Sequence, residues 1–237
     1  MNQQESEIEL NKEKNNTAGL TDNRRKTILK NIIIVLFSNV FSILSGVLIS
    51  FVIPKIMDIP EYGYYKTFTL YVSYVGILHF GFTDGIYLKF AGRKYEELDE
   101  RRFRTYTRFL MLMQLSIMVL FLLISLAFIS ANVFLILVFV SINLFSINTV
   151  AYFEIMGQVT MRFKQTSIRK IIKCILNILN VIILYLLYRF KNVNIYGYIY
   201  IICVLLIDYI LAIWYMISYR KMIFGKASKF KSEKKVN

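Results

Sequence analysis

The feature that most constrains this chain is a repeated one. Six apolar runs, at residues 31–53, 62–80, 106–129, 133–156, 171–188 and 195–217, are joined by short segments, every second of which is crowded with lysine and arginine. Runs near or above ~20 apolar residues match the hydrocarbon thickness of a bilayer. Inside hydrocarbon every backbone N–H and C=O must be satisfied within the protein, so such runs cross as helices. The composition agrees: 57% of the residues are hydrophobic and 19% charged, whereas soluble domains are about half apolar and a quarter charged. The expected fold class is therefore an all-α membrane protein, a six-transmembrane-helix bundle.

Charge orders that bundle. The formal net charge is +14, which on a soluble chain would point to nucleic acid. Here the basic residues sit at the ends of the apolar runs, so no nucleic-acid partner is expected. They set topology and meet anionic lipid headgroups. Of the 29 Lys and Arg, only Lys55, Lys66, Arg189 and Lys191 fall on one side of the six runs. The rest crowd the other flanks, so both termini are expected in the cytoplasm. Three segments follow: a disordered cytoplasmic tail at 1–27, the helical lobe at 28–223, and a basic cytoplasmic tail at 224–237.

Enzyme chemistry finds little support. The cysteines, Cys174 and Cys203, have no metal-ligand spacing, and their depths in successive spans differ too much for a disulfide. His79 is the single histidine, and no phosphate-binding loop or nucleophile set is present. No metal, no cofactor and no enzymatic activity are expected.

Polar residues inside the runs are the candidates for function. In the first run Ser38, Ser42, Gly46 and Ser50 recur every fourth residue, a stripe that suits close helix approach or a hydrated cavity, with Asn39 beside it. The second run breaks at Gly81 and Gly85. Asp84 between them either caps a short continuing helix or lines the cytoplasmic mouth of a pathway. Lys89 and Arg93 follow at a spacing of four, on one helical face. Arg101, Arg102 and Arg104, farther out, are expected at lipid headgroups. Asn143, Asn148 and Glu154 lie in the fourth run. Lys173, Asn177 and Asn180 share a face of the fifth, Lys173 near its start. Asp208, deep in the sixth, is the clearest anomaly. A carboxylate there costs about 2.5–3.5 kcal/mol on insertion scales, so it should face the bundle interior and find a partner, Lys173 or the asparagine face. An acid hydrated at the inner interface is the other reading.

Residues 38–99, SNVFSILSGVLISFVIPKIMDIPEYGYYKTFTLYVSYVGILHFGFTDGIYLKFAGRKYEELD, resemble the N-terminal part of bacterial oligosaccharide flippases. These are the O-antigen and teichoic-acid exporters of the multidrug/oligosaccharidyl-lipid/polysaccharide superfamily. The small-residue first run, the prolines at the external turn, EYGYY and GFTDGIYLKFAGR carry the likeness. The resemblance implies a cell-membrane transporter that moves undecaprenyl-diphosphate-linked sugar repeats between leaflets without ATP. It also implies two six-helix lobes around a cavity, of which this chain matches one. A second lobe or another copy, membrane lipids and the lipid-linked oligosaccharide are then the expected partners. Asp84, Lys89, Arg93, Lys173, Asn177 and Asp208 are the expected substrate-facing residues. A non-transporting accessory subunit of a polysaccharide assembly complex is the alternative, and a membrane-bound acyl- or glycosyltransferase a more distant one.

Overall fold

The structure, a computed structural model, describes residues 3–93, 95–127, 131–190 and 196–226, with side chains described from residue 26 onward except at 96. Seven α-helices follow one another, and no strand occurs among the described residues: α1 Gln3–Val52, α2 Ile59–Val75, α3 Phe82–Phe90, α4 Glu100–Ser125, α5 Ala131–Val159, α6 Phe163–Phe190 and α7 Tyr196–Ser218. Five are long and apolar enough to cross a membrane: α1 from Lys26 onward, and α4, α5, α6 and α7. The chain is an all-α membrane-type protein.

The sixth expected crossing is built differently. α2 has only 17 residues, about 26 Å at 1.5 Å per residue. It tightens at its end into a 3-10 turn, Gly76–His79, and with that turn it reaches about 34 Å, slightly more than the ~30 Å thickness of a hydrocarbon layer. Phe80 (φ 48°) and Gly81 (φ 70°) then turn left-handed, and the chain restarts as α3. The His79 ring supports this bend, its Nδ1 accepting from the Gly81 N–H at 3.1 Å. Breaking a helix frees carbonyls, and two buried amides on other helices take them. Asn148 on α5 donates to Val75 O (3.3 Å), and Gln114 on α4 donates to Leu78 O (3.1 Å). Asn148 also donates to Gln114 Oε1 at 2.7 Å, so the two form one unit.

α5 runs through the middle. Half of its most apolar window is buried (50%), against 11% for α1. Its inward face is apolar towards both ends, with Ile136, Val140, Tyr152 and Phe153, and carries small or polar residues in its middle, Ser141, Asn143, Ser146, Asn148 and Thr149, which lets α2, α4 and α7 approach closely there. At one end of the bundle Phe90, Phe103, Tyr152, Phe153, Tyr215 and Tyr219 form an aromatic layer. At the other, Ile53, Ile56, Met57, Tyr196 and Tyr200 close the core.

Several expectations are corrected. α1 is helical from Gln3, where the sequence suggested a disordered tail over 1–27. Between residues 3 and 52 there is no proline, the residue most costly to a helix interior, and the glycines are only Gly19 and Gly46. The side chains of residues 1–25, and residues 227–237 of the basic tail, lie outside the described residues. The four-residue stripe on α1 only half packs: Ser38 is buried, Ser42 half-buried, and Gly46 and Ser50 exposed. Four residues are 400° of helix, so each step drifts by ~40° and the stripe winds off the seam. Ser45 takes the buried place instead. Asp84 is not the cap of α3: Gly81 stands at that position, and Asp84 is exposed in the first turn. Arg104 reaches protein rather than headgroups. With Arg108 it clasps the segment after α7, donating to the carbonyls of Lys221 (2.7 Å) and Lys226, while Arg108 donates to those of Ile223 and Gly225 (2.6 Å).

Glu61, in the first turn of α2, is buried. Its carboxylate lies close to the backbone N–H groups of Tyr196 and Gly197 at the start of α7, although Oε1 makes no hydrogen bond among the described residues. Gly197 is bare because a Cβ there would stand 3.0 Å from Glu61 O. Glu61 therefore sets negative charge at the N-terminal end of α7, where the helix dipole favours it. Glu61→Ala is expected to lower stability by about 1–2 kcal/mol, read as thermal unfolding of the purified protein. Fraying should appear as faster hydrogen exchange at residues 196–200.

Candidate functional site

α7 buries the face that carries Tyr200, Ile201, Leu205, Leu211, Ala212 and Tyr215. Asp208 falls in register with these at helical spacing and is carried inward with them, only 3% exposed. Lys173 of α6 reaches it, Nζ to Oδ1 2.7 Å. The contact is an ion pair by distance, although its angles are not those of a hydrogen bond, and Oδ1 has no hydrogen-bond partner among the described residues. Lys173 stands about three turns into α6 and Asp208 about three turns before the end of α7. The pair thus sits about 15 Å from those helix ends, near the midpoint of α7. Lys173 is therefore deeper than the sequence suggested, because α6 begins at Phe163 rather than near residue 171.

A second set of charges adjoins this pair. Glu154 of α5 faces Lys173 and Lys170 as opposite charges and Asp208 as a like one. Lys170 gives its ammonium to Asn39 Oδ1 on α1, at 2.7 Å. These groups line a cleft of about 330 Å³ between α1, α5 and α6. Ser38 and Asn39 face it from α1, Glu154 and Gln158 from α5, and Thr166, Ser167 and Lys170 from α6. Gly157 lets the cleft close at its base: a Cβ there would lie 2.3 Å from Thr166 Oγ1. The arrangement places two carboxylates and two ammonium groups inside long apolar helices; of these, Glu154 and Lys170 line the recess, and the Lys173–Asp208 pair adjoins them. Such groups cost several kcal/mol in hydrocarbon and occur where a pathway or a partner needs them.

The remaining expected residues lie elsewhere. Asn177 is half-buried on α6, and Asn180, buried, has no partner for its Nδ2. Asp84, Lys89 and Arg93 are exposed on or after α3. α3 ends at Phe90, so Arg93 lies beyond the helix instead of sharing its face. Lys89 (5.7 Å) and Arg93 (5.4 Å) both stand over the Phe90 ring. The bend at Ala91–Gly92 is fastened to α5 by Gly92 N–H to Val159 O, 3.1 Å. α3 packs on α5, while Lys173 turns to α7, so the structure does not bring the Lys89 and Arg93 pair to the Lys173 site.

The sequence had singled out Glu154 and Asn39 but not as site residues, and it missed Lys170 and Gln158. Lys170 reads as one more basic residue of a loop, because only the early start of α6 places it on a helix. Both cysteines are free. No group of three or more His, Cys, Asp or Glu able to hold a metal occurs among the described residues.

Fold and site together define a multi-pass, all-α membrane protein with an ion-paired polar recess inside its helical bundle. No protein-family model, no curated protein and no solved structure matches the chain.

Proposed function

We propose that this chain is one lobe of a membrane transporter that moves a lipid-linked oligosaccharide from the inner to the outer leaflet for surface polysaccharide assembly. The observation that carries this reading is the Lys173–Asp208 ion pair, held near the middle of the long apolar helix α7 and adjoining a polar cleft. A helical bundle built only for anchoring gains nothing from charges at that depth, whereas a translocation path needs polar groups where a hydrated head crosses. The resemblance of residues 38–99 to oligosaccharide flippases supplies the substrate class. A second lobe or another copy completes the path. Both termini are placed in the cytoplasm by the basic flanks, with the cell membrane as location.

Two measurements test this. In a background without native cysteines, a cysteine at Asn132 should label from outside intact cells and one at Glu97 should not. The reverse pattern ends the topology. In a strain supplying the partner lobe, Asp208→Asn should abolish surface polysaccharide while the protein still reaches the membrane. Unchanged export at equal protein level would rule out a role for the pair in transport.

A further inference from the structure

A second groove, of about 350 Å³, lies between α1 and α6, and apart from Ser167 it shares no residue with the polar cleft. Its wall on α1 is Ile33, Ile34 and Phe37. Its wall on α6 is Lys164, Ile168 and Ile171. Each set follows helical spacing, so each is one stripe of one helix. Lys30, one turn before Ile33 and Ile34, begins the α1 stripe as Lys164 begins that of α6. The two helices run parallel: Asn39 meets Lys170, and Ile33 and Lys164, six residues nearer each start, wall the same groove. The groove is therefore apolar along its length, with both lysines at one end.

The protein supplies neither lysine with a counter-ion. Both are exposed, and neither has a hydrogen bond or an ion pair among the described residues. No Asp or Glu occurs between residues 23 and 57 or anywhere in α6, so neither wall carries an acid. The apolar wall decides what brings the anion. Ile33, Phe37 and Ile168 are exposed on helices long and apolar enough to cross a membrane, so the groove meets lipid chains. A second copy of the chain would bring like charge to the lysines, and apolar packing between helices gains little over packing with lipid. A zwitterionic lipid sets its own cation beside its phosphate. We propose that this groove binds an anionic phospholipid of the leaflet at the basic helix ends. Its phosphate sits between Lys30 and Lys164, and one acyl chain lies along Ile34 and Ile168. The neighbouring groove of about 420 Å³, walled by Ile28, Ile32 and Met161, has no charged residue in its lining and selects no headgroup. The site stands whether or not the bundle transports anything.

The experiment counts lipids on the full chain by native mass spectrometry, after release from nanodiscs of dioleoyl phosphatidylglycerol and dioleoyl phosphatidylcholine in equal parts. One phosphatidylglycerol should be retained about thirtyfold over phosphatidylcholine, each lysine contributing a factor of about five. Lys30→Gln or Lys164→Gln alone should lower that preference about fivefold, and both together should remove it. Arg220→Gln with Lys221→Gln takes the same charge from another basic end and should leave the preference unchanged. An equal fall in that control would mean diffuse attraction to a basic surface, and overturns the site. So does a preference that survives the loss of both lysines, or a second copy of the chain retained in place of lipid. Glycerophosphoglycerol, the headgroup without its chains, should not displace the bound lipid. Displacement at equal concentration would show that the apolar wall takes no part, and overturns the proposal as well.

Discussion

Lys173→Ala is expected to destabilise the folded protein by about 3–5 kcal/mol, because it leaves the Asp208 carboxylate buried and uncompensated. Asp208 is 3% exposed and has no second partner to fall back on among the described residues. The Lys173 side chain is 35% exposed, towards the polar side, so the reciprocal change Asp208→Ala should cost less: a lysine can lift its ammonium along a flexible stem to water. The double variant Lys173→Met with Asp208→Leu should recover most of the loss, since replacing both members of a buried pair by apolar groups is often neutral. Unfolding midpoints and the fraction of monodisperse protein after extraction measure all three. A Lys173→Ala protein as stable as the wild type would mean that the carboxylate is hydrated or protonated in the membrane. The comparison also separates stability from function, because the double variant should fold and yet fail in export.

The second large effect is expected at the break in α2. Asn148→Leu removes two hydrogen bonds and leaves Gln114 Oε1 and Val75 O buried without donors. Each stranded group costs about 1–3 kcal/mol, so a total of ~2–5 kcal/mol is expected. Gln114→Leu should cost a similar amount through Leu78 O and Asn148. Because the two act as one unit, the double variant should fall well short of the sum of the singles. Hydrogen exchange gives an independent reading: the amides around residues 76–81 should lose protection before the rest of α2. Additive losses, or a break that stays protected, would show that the two amides are not what holds it.

The fold class was legible in the amino-acid sequence for a direct reason. Crossing a bilayer is imposed by solvent on each run separately, through apolar length and the need to satisfy the backbone internally. No tertiary information enters, so the long spans α4, α5, α6 and α7 followed from composition alone. Burial of Asp208 was legible in the same way, since a carboxylate in mid-span has nowhere to go but inward. Helix ends and helix rotation were not legible. The start of α6 at Phe163 took Lys170 from an expected loop into the helix and moved Lys173 from the helix start to about its third turn, because a helix continues through basic residues when they find partners in the bundle. The small-residue stripe on α1 failed for a geometric reason, as a four-residue repeat outruns a 3.6-residue turn. Asp84 has the composition of a cap, yet Gly81 takes that position because the chain has already turned left-handed there. Asn39, Glu154 and Lys170 come from three helices far apart in the chain, and only packing brings them to one recess. The sequence by itself determined the medium in which this protein folds and which residues that medium would not tolerate alone. The tertiary structure decided which of them meet, because side-chain proximity between helices depends on their rotation and depth, which no local pattern encodes.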